Sequence, residues 1–289
     1  MTYFLKELML SLVGRRTTYR IGRALYQKAR GDVHHDMESN GEMLVQHCVV
    51  GAWKRGDMSG QRLVVFDVGA NVGDWSSALL DLLTDANMRE AVDIYAFEPV
   101  PSTFEYLRNR LGTQNTVLHY EQLALSSENG DGVIYVSGGA NAGTNSLHTD
   151  SLWGDEKQIT IVRATATEFC KTHEIQKVHL LKCDTEGHDM EVIRGALQLL
   201  ADESISVLQF EYNHRWISSR NFLKDAFTAI EMMPYKLAKI QPHQLLIFSD
   251  WHPELERFFH GNYALIHVDA LDWFPTQLVS WDRYNAMSV

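Results

Sequence analysis

The sequence predicts an α/β protein with a mostly parallel, seven-stranded sheet, helices on both faces and a C-terminal antiparallel hairpin. Three observations predict it. From residue 62 onward, short apolar runs alternate with amphipathic segments, which is the rhythm of strand–helix–strand units. The runs are apolar on successive residues, as strands covered on both faces are. "YKLAKI" and "QLLIFS", separated only by "QPHQ", lie too close together for a helical crossover and so pair antiparallel.

In chain order, residues 1–60 read as a helical extension with a break near "ARGDVHHDMESNGE". His34 and His35 fall in that break, with no cysteine or acid at ligand spacing, and read as loop. The start, "MTYFLKELMLSLVGRR", places its paired arginines after the apolar part, the reverse of an export signal. It reads as an amphipathic helix whose apolar side covers the domain, a partner subunit or a membrane surface, and the N-terminal helices offer a surface for self-association. Residues 61–250 form the main domain. Its five parallel strands are "LVVFDV", "DIYAFE", "TVLHYEQLAL", "VHLLKCD" and "VLQFEY", with helices over 74–84, 102–111, 165–174, 189–200 and 219–232. Between "DGVIYV" and "ITIVRA" lies a long glycine-rich and polar loop, in which Thr144, Ser146 and His148 are candidates to line an acceptor site. Residues 251–289 read as an extension packing on the domain, with "WHPELERFF" as helix packing.

Composition narrows the function classes. With 289 residues, 45 % of them hydrophobic, the chain can bury one sizeable core. A formal charge of −11 argues against binding nucleic acid or anionic lipid through bulk electrostatics. Cys48, Cys170 and Cys183 are odd in number and widely spaced, which reads as reduced thiols in a cytoplasmic protein. No apolar run is long enough to span a bilayer.

The chemistry gathers at strand ends. In "VVFDVGANVGDW" a buried strand ends in Asp67, Gly69, Asn71 and Gly73 before a helix begins. Ligands of open parallel sheets bind beyond the carboxyl ends of the strands, and the glycines read as clearing side chains from a ligand's path. Glu98, 31 residues after Asp67, ends the second strand where it can accept hydrogen bonds from a ribose diol. A nicotinamide dinucleotide calls for G-x-G-x-x-G, which this turn does not supply, and no phosphate-binding Gly-Lys-Ser/Thr follows. The spacing suits S-adenosylmethionine, which carries no phosphate. A nicotinamide-dependent oxidoreductase and a non-catalytic binding protein on the same fold are the alternatives.

These stretches, with "YAFEPVPSTFEYLRN", "LALSSENGDGVIYV" and above all "HLLKCDTEGHDMEVIRGA", resemble the FkbM family of S-adenosylmethionine-dependent methyltransferases. The resemblance covers roughly residues 62–250. It implies a Rossmann-like class I methyltransferase fold and O-methylation of a sugar, glycan or polyketide-type hydroxyl. It also implies that Asp67, Gly69, Asn71 and Gly73 form the cofactor turn, that Glu98 takes the ribose hydroxyls with Pro99 shaping the turn, and that Ala124 gives room for the adenine. Cys183 and Thr185 stand where this family more often has aliphatic residues.

Lys182, Asp184, Glu186 and His188 end the fourth strand, and Glu211, Asn213 and His214 end the fifth. Methyl transfer to a hydroxyl needs an in-line approach and help in removing the proton. Two mechanisms stand open here: His188 or His214 as base, or a divalent ion (Mg²⁺, Ca²⁺ or Mn²⁺) held by Asp184, Glu211 and Asn213. Asp184 also faces the cofactor's ammonium in this reading, and Lys182 and Glu186 are expected to pair with each other.

Overall fold

The structure, a computed structural model, describes residues 3–32, 36–56, 62–112, 116–136 and 157–288. His34, His35, Thr144, Ser146 and His148 lie outside the described residues. Three helices come first: α1 (Tyr3–Val13), α2 (Arg15–Ala29) and α3 (Glu42–Arg55). Then follow β1 (Leu63–Val68), α4 (Asp74–Asp85), β2 (Val92–Phe97), α5 (Pro101–Leu111), β3 (Leu118–Glu121) and β4 (Ala124–Leu125). The middle holds β5 (Gly130–Val136), β6 (Lys157–Ala164), α6 (Ala166–Thr172), β7 (Val178–Cys183), α7 (Asp189–Gly195), α8 (Leu197–Ala201) and β8 (Ile205–Tyr212). The chain closes with α9 (Leu223–Ala229), β9 (Tyr235–Ile240), β10 (Leu245–Phe248), β11 (Gly261–His267), β12 (Thr276–Trp281) and β13 (Met287–Ser288).

The main sheet runs β13-β12-β10-β9-β11-β8-β7-β1-β2-β3. Strands β8, β7, β1, β2 and β3 are parallel. The chain moves outward from β1 through β2 to β3, then returns to lay β7 on the other side of β1. That reversal makes the carboxyl ends of β1 and β7 the crevice where this sheet type holds ligands. Every residue of β7 and of β8 is buried, and both are apolar on successive residues, with His179, Lys182, Ser206, Gln209 and Glu211 as the buried polar exceptions. Alternate residues feed opposite faces: Phe66, Leu181 and Leu208 join one core with α6 to α9, while Val65, Leu180 and Val207 join a second with α3 and α4.

The structure departs from expectation in four places. The run 116–125 is two strands: β3 stays in the main sheet, while β4 pairs with β6 in a separate three-stranded sheet, β4-β6-β5. The helix expected over 189–200 is interrupted between Gly195 and Leu197, and at Gly195 a Cβ would stand 2.0 Å from the carbonyl oxygen of Ser126, so only glycine fits that approach. The antiparallel hairpin exists as β9–β10, but β11 lies between β8 and β9 and is antiparallel to both. Among the described residues the main sheet therefore has ten strands, and one of its inner strands comes from beyond residue 250. Finally, "WHPELERFF" holds a short 3-10 turn at Pro253–Leu255, with the Trp251 indole donating to Glu256 at 2.8 Å.

The N-terminal extension is fastened to the sheet. Lys239 of β9, 2 % exposed, donates to the Arg30 carbonyl and pairs with Asp32. Arg30 also bonds Asp32 at 3.1 Å.

Candidate active site

The glycine turn is shaped by what approaches it. Gly69 (φ 78°) donates to the Phe97 carbonyl at 3.0 Å, as Ala70 does at 2.9 Å, tying the ends of β1 and β2. A Cβ at Gly69 would stand 2.0 Å from the Asp184 carbonyl oxygen, and Asp184 donates its N–H to Val68 at 3.0 Å. At Gly73 (φ 85°) a Cβ would meet Leu107 at 2.6 Å, so this glycine lets α5 close on the start of α4. Both glycines thus answer to the protein's own atoms, main chain in one case and leucines in the other, where the sequence suggested a ligand's path.

A cavity of about 240 Å³ opens beside this turn. It brings together Gly69, Asn71, Glu98, Pro99, Ala124 and Asp184 of the expected cofactor set, with Glu186 at its edge. Asp67 and Gly73 stand outside that lining. Glu98 is 5 % exposed, and its two oxygens accept from Val100 N at 2.9 Å and Asn71 N at 3.1 Å. Burial pushes the Glu98 carboxyl up to about 7, against the pull of those two N–H groups. A carboxylate so placed retains lone pairs for further donors.

Behind the turn, Asp67 is fully buried and accepts from Ser76 Oγ at 2.7 Å and from Lys182 Nζ at 3.3 Å. Lys182 also stands 3.8 Å from Asp184 and lies over the Trp75 ring. Burial alone would lower its pKa, but Asp67, Asp184 and Glu42 outweigh burial and raise it. Glu186 takes Arg215 at 2.9 Å; the expected Lys182–Glu186 pairing gives way to these two arrangements.

The ends of β7 and β8 do converge. Asp189 accepts from Gly187 N at 3.2 Å and from Glu211 N at 3.3 Å. Glu211 accepts from Asn213 Nδ2 at 2.5 Å, and its other oxygen lies 2.7 Å from His260 Nδ1. Burial, then Asp184 and Asp189, pushes the Glu211 carboxyl well above its ordinary range, and burial lowers His260. The two expected histidines stand elsewhere. His188 is buried with Nε2 3.0 Å from Ser126 Oγ, and His214 is exposed at the start of a 3-10 turn, His214–Ile217.

Two residues enter that sequence reasoning missed. Glu42, at the start of α3, lines the cavity and accepts from Asn40 Nδ2 at 2.6 Å and from Asn262 Nδ2 at 3.1 Å. His260 arrives just ahead of β11. Asn262 and Glu211 are register partners across β11 and β8, so the insertion of β11 is what assembles both.

The expected metal trio does not form. Asn213 Oδ1 accepts from Arg215 N at 2.8 Å, while Asn213 Nδ2 and His260 occupy the two Glu211 oxygens. Among the described residues, no group of three His, Cys, Asp or Glu side chains is arranged to hold a metal ion. The donor set serves internal hydrogen bonds.

Two buried carboxyls, Glu98 and Asp189, and the partly buried Glu186 set an expected pH dependence. Burial raises Glu98 and Asp189 to about 7, and burial with Asp184 and Glu211 raises Glu186 to about 8. Each holds its proton in the folded state at pH values where the unfolded chain has lost it. The folded state therefore binds more protons across that window, and stability falls as pH rises through it. The melting temperature of the ligand-free protein is expected to be higher at about pH 5.5 than at about pH 8, and the slope should flatten in Glu186→Gln and Asp189→Asn. A melting temperature that rises over this range would contradict the buried carboxyls.

An open sheet with β8, β7, β1, β2 and β3 parallel, β11 antiparallel and the cavity at the carboxyl ends defines a class I methyltransferase fold. Within that class the chain belongs to the FkbM methyltransferase family: the Methyltransferase FkbM domain matches residues 67–240. It is similar to the hexuronic acid methyltransferase AglP of Haloferax volcanii, 31 % identical over 147 residues, which are 50 % of this chain and 55 % of that protein. The chain thus spans about half the length of that relative. Among solved structures, precorrin-6y C5,15-methyltransferase from Geobacter metallireducens GS-15 aligns with 14 % identity and a TM-score of 0.35, over 75 % of this chain and 88 % of that one. The bifunctional kinase-methyltransferase WbdD aligns with 10 % identity and a TM-score of 0.41, over 84 % and 42 %. Among the described residues, no helix is long and apolar enough to cross a membrane.

Proposed function

We propose that the chain is an S-adenosylmethionine-dependent O-methyltransferase acting on a hydroxyl of a sugar or glycan. One observation carries it: a single cavity joins the Gly69–Asn71 turn, the buried Glu98 carboxyl and the Asp184 and Glu42 carboxyls. That donor set fits the group, a carboxylate for a ribose diol and further carboxylates for a cation. Family membership supports methyl transfer, and the hexuronic acid relative supports a sugar acceptor.

When bound, the cofactor supplies an electrophilic methyl on a sulfonium. Glu98 would accept from the ribose hydroxyls, and the turn from Gly69 to Asn71 would cover one side of the site. Asp184 and Glu42 hold positive charge in a cleft with little water to screen it. At the end of β8, outside that cavity's lining, the Glu211–His260 pair would take up the proton that the acceptor hydroxyl loses, which is the role expected of His188 or His214 in the sequence.

Calorimetry with S-adenosylhomocysteine tests the cofactor, with NAD as the control expected not to bind. Mass spectrometry of neutral and uronic-acid glycans should then show the gain of one methyl group. NAD binding without S-adenosylhomocysteine binding would overturn the assignment. Glu98→Ala is expected to weaken S-adenosylhomocysteine at least tenfold, since each charge-assisted hydrogen bond contributes roughly 1.5–3 kcal/mol at most. An unchanged affinity would place the ribose elsewhere.

A further inference from the structure

The acidic bulk charge conceals a basic segment. Residues 1–30 carry seven lysines and arginines and one glutamate, against 19 basic and 36 acidic residues in the rest of the chain. This segment is α1 and α2, and none of the residues of α2 is buried. At helical spacing, Arg16, Arg20 and Arg23 fall on one face of α2, while Ile21 and Leu25 fall on the other. That apolar side lies open: Ile21 is 43 % and Leu25 66 % exposed, and Leu12 of α1 is 75 % exposed. Around Gly22 a Cβ would meet nothing within 4 Å.

The root of the segment is ordered. Tyr26 donates to Glu254, and Arg23 and Arg30 lie over the Phe259 ring at 5.4 and 5.9 Å. Phe259 directly precedes His260, so the root shares one short stretch of chain with the candidate active site. From there α2 presents its two faces outward.

We propose that α1 and α2 form an arm that docks on an anionic lipid surface. Apolar side chains enter the interface while the arginines reach the headgroups. Charge selects this occupant. Pairing with the same arm of a second copy would bring together two segments that each carry seven basic residues and one acidic residue. The acidic body of a second copy matches the charge but not the apolar face. Its exposed large apolar residues, such as Tyr106, Val133, Phe222, Met232 and Leu278, are scattered over separate elements. A lipid surface supplies both an apolar layer and negative charge, and demands no complementary shape.

The test is sedimentation of the full chain with vesicles of phosphatidylcholine alone or mixed with phosphatidylglycerol. Binding is expected only to the mixed vesicles, and to be released by high salt. Arg16→Gln with Arg20→Gln should weaken it about thirty-fold, the loss of two surface-bound charges, and Leu25→Asp should abolish it. Circular dichroism and melting temperature should match the unaltered protein, because these side chains are exposed. Absence from both vesicle types, or equal binding to both, would overturn the proposal. So would a concentration-dependent dimer that Leu25→Asp dissociates without any vesicle binding, which would make the arm an interface between copies.

Discussion

Lys182→Met is expected to destabilise the protein by about 3–5 kcal/mol, because one partner of a buried ion pair is removed and the other stays charged. Asp67 is fully buried and its remaining partner is the Ser76 hydroxyl, while Lys182 is 4 % exposed. Methionine fills a similar volume, so the cost is electrostatic rather than a cavity. For a domain of this size the melting temperature should fall by roughly 10 °C. Asp67→Asn in the same chain removes the stranded charge and should restore most of the loss. Thermal unfolding of the two single variants and the double variant checks this. A Lys182→Met protein as stable as the original, or a double variant no better than the single one, would show that the pair does not hold the turn.

Asp184→Asn and Glu211→Gln should each lower methyl transfer by about 10²-fold or more while the fold survives, since both act on orientation and proton removal. Burial and neighbouring carboxylates already hold Glu211 well above its ordinary range, and glutamine resembles its neutral form. Its loss should therefore leave the melting temperature unchanged or raise it. His260→Ala should lower turnover to a similar degree if the pair acts as a unit, whereas His214→Ala, at an exposed position, should not. Because Asn213 and Glu211 spend their atoms on each other, on Arg215 and on His260, EDTA is expected to leave the rate unchanged. Full activity in both acid variants would refute this cleft as the catalytic centre. Activity lost to EDTA and restored by Mg²⁺ or Mn²⁺ would return the metal reading.

The parallel half of the sheet was legible because its strands are buried on both faces and write that into consecutive residues, as "VHLLKC" and "ISVLQFEY" do. Glu98 was legible because a strand end is a local feature. The position of β11 was not, since strand order is settled by packing over long stretches of chain and leaves no periodicity behind. Glu42 and His260 were hidden for the same reason: each reaches the site only because α3 and β11 fold against β8. Gly69 and Gly73 were legible as a turn, but the atoms that crowd them belong to the protein and not to the ligand's path that the sequence suggested. Sequence shows that a glycine is required, and only the neighbouring Asp184 carbonyl and Leu107 show what requires it.

The place of β11 bears on how the chain can be divided. All seven of its residues are buried, and it is paired along both sides, to β8 and to β9. Were the chain cut near residue 250, where the family match has already ended, β8 and β9 would face an empty slot. Two long rows of unpaired N–H and C=O groups would open at once, on strands that are mostly apolar and, but for Lys236, shielded from water. Exposed edges of that kind recruit strands from other molecules. A shortened protein would therefore be expected to form intermolecular sheet and to precipitate, even with the glycine turn and Glu98 intact.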